Sequence, residues 1–292
     1  MKKAFFTSLL ITTLILARAQ EISYKLEELT APEFIDAVAK SSETIILPIG
    51  VYEKHGAHLP LGTDVYIARE LALRAAAEEY TVVFPTYYFS QINEARQQPG
   101  TIAYSPSLIW NVLQETLDEL NRNGFKKIII VNGHGGNSAF LNYFGMAQLS
   151  ERRDYTLYWF QPTYDQEVMR KAEALSQRDI YDQHGGNRET NMMMAIAPEL
   201  VYTDRAGEQS GVDLARMSHL QNIYSGIWWY ARYPNHYSGD GSKSNAEAGS
   251  LIVDHLVKQL VRTIQSIKTD EVVPNLQNQF FEEAENPLKT KQ

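Results

Sequence analysis

The chain contains no cysteine. That absence excludes disulfides, thiolate ligands to a metal, and a lipid anchor attached through cysteine. No block of consecutive basic residues occurs either, so nothing points to nucleic acid as a partner. Histidine is scarce, with seven residues in 292, so any clustering of it carries information. Hydrophobic residues at 44% and charged residues at 21% match a globular protein and exclude a disordered chain. The length is enough to bury a large core.

The first residues stand apart. Lys2 and Lys3 give a positive start, residues 4–16 carry no charge, and Ala17-Arg18-Ala19 fits a small-x-small cleavage site. This layout predicts a secretory signal peptide over 1–19, cleaved to leave Gln20 first. The apolar run is short for a spanning helix, so no stable membrane anchor is expected. The expected location is periplasmic or secreted. The remainder, 20–292, reads as a single domain with a polar tail from about 282.

Short apolar runs alternate with amphipathic ones. Strands are predicted over 44–49, 81–89, 126–132 and 156–160, where β-branched and aromatic residues gather. Helices are predicted over 65–79, 107–123, 138–150, 188–196 and 245–266. This alternation predicts the α/β class, with a mostly parallel central sheet between two helix layers. The runs 45–49 and 128–131 are apolar throughout, as strands covered on both faces should be.

Sites in such folds form beyond the carboxyl ends of strands. Three loops there carry histidine: 50–64, reading GVYEKHGAHLPLGTD; 132–137, reading NGHGGN; and 182–189, reading DQHGGNRE. Glu53 and His55 are two apart, so in an extended segment their side chains point the same way. Asp64 follows at the start of a helix, and His134 follows another strand. Carboxylates with imidazoles suit zinc or manganese, and a carboxylate-rich set suits two ions sharing a ligand. Plainer readings exist. Asp64 can be a helix cap, and the glycines around His134 can cradle a phosphate, though the GxGxxG spacing and the Walker lysine are missing. His58 reads as a residue that orients its loop, and His219, His236 and His255 receive no role.

The stretch LPIGVYEKHGAHLPLGTD resembles the signature of the creatininase family. Pro99-Gly100-Thr101, the 132–137 stretch, and Asp182, His184, Gly186, Glu189 and Thr190 extend the match in the same order. The resemblance implies a three-layer α/β/α fold, two divalent ions (zinc or manganese, with iron possible), and hydrolysis of non-peptide C–N bonds in amides. It implies that Glu53 and His134 bind one ion and His55 the other, with Asp64 between them. His184, with Asp182 near it, falls where the family has a histidine beside the substrate. Family members commonly form hexamers or other homo-oligomers.

Some positions depart from the family. Gly136 stands where creatininase has a glutamate ligand, which makes Glu189 the candidate replacement. The segment Asn187-Arg188-Glu189-Thr190 keeps one of two usual acids. Tyr181 replaces a tryptophan, and Ile92-Asn93-Glu94-Ala95 replaces a Ser-x-Glu-His segment. These changes point away from creatinine itself. The function expected is an exported amidohydrolase that opens a small cyclic or linear amide with metal-activated hydroxide. In it His184 protonates the leaving nitrogen and Asp182 orients its ring. A non-catalytic binding relative, or a lactonase or esterase, is the alternative.

Overall fold

Four parallel strands form the central sheet of the computed structural model, which describes residues 21–176 and 182–290. They are β1 (Thr44–Ile49), β2 (Val82–Val83), β3 (Lys127–Asn132) and β4 (Thr156–Phe160), in the order β2-β1-β3-β4. The pairing of Ile45 with Ile128 and Ile46 with Ile129 sets β1 and β3 level, so both end at the same sheet edge. The expected leader over 1–19 and Tyr181 lie outside the described residues. Among the described residues no helix is long and apolar enough to cross a membrane.

Side-chain alternation along the strands divides the core in two. Ile46, Ile129 and Val131 face α2 (Thr63–Glu78), α6 (Asn187–Ile196) and α8 (Ala246–Lys268), where Leu71, Met193 and Leu260 are buried. Ile45, Leu47, Ile128 and Ile130 face α1 (Ala31–Lys40), α3 (Pro106–Arg122) and α4 (Ser138–Ala147), where Ala37, Leu117 and Phe144 are buried. The result is the expected α/β/α sandwich. Each fully buried leucine or isoleucine contributes about 1.5–3 kcal/mol to it. Local signals agree. Ser105 accepts the Leu108 N–H ahead of α3, and Asn245 accepts the Ala248 N–H ahead of α8.

The strand expected over 81–89 pairs only at Val82 and Val83, followed by a single bridge from Tyr87 to Ile49. Pro85 has no N–H to give a ladder, which stops the strand at this sheet edge. Further helices are α5 (Gln166–Ser176), α7 (Trp228–Arg232) and α9 (Val272–Ala284). The last takes in the start of the polar tail.

Candidate metal centre

The loops leaving β1 and β3 close over the first turn of α2. Gly133 makes this closeness possible, because a Cβ there would lie 2.2 Å from the Asp64 carbonyl oxygen. Asp64 therefore meets Glu53 and His55 from one loop and His134 from the other. All four side chains are buried.

Among the described residues three sets of donor atoms result, one of them Glu53, His55 and His184, and the other two share Asp64. In each, the ligand atoms lie within 4.8 Å of one another. Of the two that share Asp64, Glu53, Asp64 and His134 form one, and His55, Asp64 and Glu189 the other. Asp64 Oδ1 lies 3.0 Å from His55 Nε2, and its Oδ2 lies 3.1 Å from His134 Nδ1. His134 Nδ1 is also 2.8 Å from Glu53 Oε1. Yet Glu53 Oε1 and Asp64 Oδ2 are buried oxygens with no hydrogen-bond partner. Buried carboxylate oxygens without partners are costly, and a cation between them and the imidazoles would remove that cost. The donor set therefore fits divalent metal.

The surrounding hydrogen bonds aim these atoms. His55 Nδ1 lies 3.2 Å from the Glu53 carbonyl, which only accepts, so Nδ1 carries a proton and Nε2 is the nitrogen that faces the cluster. Glu189 Oε2 accepts the Gly185 N–H at 2.6 Å and lies 3.9 Å from His55 Nε2. His236 holds the other oxygen of Glu53. Trp229 Nε1 donates to His236 Nδ1 at 2.7 Å, so His236 Nε2 carries a proton and donates it to Glu53 Oε2. Glu53 Oε1 is thereby left for the centre.

The electrostatics are those of a cluster short of positive charge. Burial pushes His55 down, but Asp64, Glu53 and Glu189 outweigh it and raise the imidazole to about 9. His134 is raised well above its ordinary value in the same way, against burial, chiefly by Glu53 and Asp64. Burial pushes Glu53 up, yet His134 and His184 beside it hold it well below the usual carboxylate range. Asp64 goes up, because burial prevails.

His184 lies beside this centre, its ring centroid 4.3 Å from that of His55 and 4.3 Å from that of His236. Its Nε2 donates to the Lys54 carbonyl at 2.9 Å. Burial, with His55 and His236 close by, pushes the ring down to about 4, so it is neutral at pH 7. Asp182 Oδ2 accepts the Arg188 N–H at 2.7 Å and so ties the first turn of α6. The ring of His184 is thus held by a backbone carbonyl, while Asp182 is engaged with the helix that carries Glu189. His58 bonds Thr190 Oγ1 at 2.9 Å, on that same helix.

Two residues near the centre had no assigned part. His236 comes from a segment that pairs with 182–184 through the bridge from His184 to Ser238. The sequence signal was weak, a lone histidine beyond the matching loops. Glu94 is the second. A Cβ on Gly136 would lie 2.3 Å from Glu94 Oε1 and 2.4 Å from His134 Nε2. The room left by the missing glutamate is thus filled by Glu94, whose Oε1 lies 3.8 Å from His134 Nε2. Glu53, His134 and Glu189 of the centre line one cavity of about 1310 Å³ together with Glu94 and His184.

Comparison with known proteins agrees with this geometry. A family model described as creatinine amidohydrolase matches residues 27–264. Creatinine amidohydrolase of Pseudomonas putida is 28% identical over 193 residues, 61% of this chain and 74% of that one. A mycofactocin precursor peptide peptidase of Mycolicibacterium smegmatis is 31% identical over 169 residues, 55% of this chain and 60% of that one. Among solved structures, a Zn–Zn creatininase has a TM-score of 0.72 at 23% identity, covering 85% of this chain and 99% of that one. A manganese creatininase has a TM-score of 0.70 at 22% identity, covering 85% and 100%. With a match that spans most of its length, and with the parallel sheet and helix layers of those structures, this chain belongs to the creatininase family of amidohydrolases.

Proposed function

We propose that this protein is a two-metal hydrolase that cleaves the C–N bond of a small cyclic or linear amide. The observation that carries the reading is the pair of donor sets sharing Asp64, with unpartnered buried oxygens on Glu53 and Asp64, beside a cavity that Glu53, His134 and Glu189 line. Glu53, Asp64 and His134 would hold one ion, and His55, Asp64 and Glu189 the other. Zinc or manganese, with iron as a further candidate, would supply Lewis-acid polarisation of the amide carbonyl and a water acidic enough to react near pH 7.

The chain's own groups do the rest. Neutral His184 keeps Nε2–H on the Lys54 carbonyl, and its Nδ1 has no hydrogen-bond partner among the described residues. Nδ1 takes the proton of the attacking water and passes it to the leaving nitrogen, which departs as amine. This modifies the expectation that His184 begins as the acid. A ring at about 4 must first gain the proton it donates. Gly135 and Gly136 line the cavity, and their backbone N–H groups would stabilise the developing oxyanion. Asp182 acts as a positioning residue, fixing the turn that presents His184 and Glu189.

The test is a screen of cyclic amides, linear amides and short peptides against zinc- and manganese-loaded protein, read as amine or ammonia release. Peptides belong in it because one relative is a peptide peptidase. Protein that holds two ions and opens no member would be a non-catalytic relative. Turnover confined to esters and lactones would favour that alternative. The leader-like start supports export to the periplasm or medium, and an intact mass beginning at Gln20 in the native host checks it. The family resemblance supports a homo-oligomer, which mass photometry decides.

A further inference from the structure

The cavity beside the metal centre carries several carboxylates but, among its described lining residues, one side chain of the Arg or Lys type, Arg188. It follows Asn187 at the start of α6, next to Glu189. Its guanidinium lies over the Tyr164 ring, 5.3 Å from the centroid. Its Nε is buried without a hydrogen-bond partner. Neither Asp182 nor Glu189 forms an ion pair with it, and Asn187 is occupied by Ser176 and Asn191. Glu189 and Asp182 lie near enough to favour its charge, but a buried Nε without a partner is costly, and the fixed fork of donors suits a carboxylate in direct contact. Among the described residues no carboxylate makes that direct contact: Glu189 accepts the Gly185 N–H and Asp182 the Arg188 backbone N–H. Tyr164 lies under the guanidinium, and both residues line the cavity.

We propose that Arg188 binds a carboxylate of the substrate, so that this enzyme selects amides with an anionic group away from the scissile bond. The inference rests on the amide-hydrolase reading and adds a substrate class to it. The alternative is that Arg188 only balances Glu189. In that case removing its charge would disturb zinc retention and leave ligand choice unchanged. As a selector, Arg188 would instead change which ligands bind while the metal centre stays as it is. The aromatic walls at Trp159, Tyr164 and Trp228 suit the apolar stem of such a ligand.

The experiment uses zinc-loaded full-length protein and two matched series. One is succinamate, glutaramate and adipamate; the other is the corresponding uncharged diamides. Calorimetry gives Kd for each, and ammonia release is followed separately. At least one acid should bind about 10- to 100-fold more tightly than its diamide, the range for a charge-assisted contact. Arg188→Gln should remove that preference while zinc content and circular dichroism stay as in the wild type. If Arg188→Gln does not keep its fold, Arg188→Lys is used instead, in which the preference should fall but persist. An absent preference in the wild type, or one that survives Arg188→Gln or is unchanged in Arg188→Lys, overturns the inference. Anion-selective binding without ammonia release would leave it standing and sink the amide-hydrolase reading. Hydrolysis with no charge preference would do the reverse.

Discussion

Loading the centre with metal should release protons, and the two histidines set the number. In the metal-free cluster His55 is raised to about 9 and His134 well above its ordinary value. At pH 7.5 a group with a pKa near 9 is about 97% protonated, so the His55 ring carries a proton that a metal must displace, and His134 is shifted in the same direction. Glu53 and Glu189 are lowered and contribute none. Filling both sites should therefore release at least about one proton per chain, from His55, with His134 adding to it. The same competition sets the pH dependence. Below pH 9, affinity at the His55 site should fall about tenfold per pH unit, or about 100-fold from pH 8 to 6. Zinc titrations at pH 7.5 in two buffers of different ionisation enthalpy give the proton count. A count near zero, with affinity flat between pH 6 and 8, would mean that His55 and His134 are not ligands and would refute the reasoning.

Other perturbations follow from the same geometry. Asp64→Ala should lose both ions and all turnover, since Asp64 serves both sets; elemental analysis showing two ions would sink its shared role. His184→Ala should keep its metals and lose roughly 10²–10⁴-fold in kcat on an amide, with a smaller loss on an activated ester whose leaving group needs no proton. Loss of metal in that variant would make His184 a ligand. For the metal-free protein the sign of pH dependence is also set. The folded pKa of His55 lies above its ordinary 6.5, so its contribution is full below 6.5 and lost as pH rises through about 9. That contribution is at most about 3 kcal/mol, and urea melts of chelated protein at pH 6.5 and 9.5 should show it.

Much of the fold could be read from the chain because its strands carry unambiguous signals. Thr44–Ile49 and Thr156–Phe160 have the expected bounds, since each is a dense β-branched or aromatic run at the sheet centre or edge. The run after Thr81 looked equally strand-like, but pairing depends on a neighbour and on available N–H groups, and Pro85 lacks one. Helices α1, α5 and α9 lie outside the strand–helix rhythm that guided the reading. Their exposed faces are polar, so burial of one stripe makes them helices. In the site, Glu53, His55, Asp64 and His134 could be picked out because they leave strand ends or open a helix at one sheet edge, and Glu189 because the family resemblance leaves a ligand missing at Gly136. His236 could not, because its contact with Glu53 joins segments 183 residues apart. Glu94 could not either, since only packing shows that its carboxylate fills the space beside Gly136.

The central claim is a pair of ions sharing Asp64. An anomalous-scattering map of crystals grown with zinc tests it directly. Two peaks are predicted, about 3.5–4 Å apart, one among Glu53, Asp64 and His134 and one among His55, Asp64 and Glu189. A single peak, or zinc more than roughly 3 Å from Asp64 when ligand distances are about 2.0–2.2 Å, would contradict it.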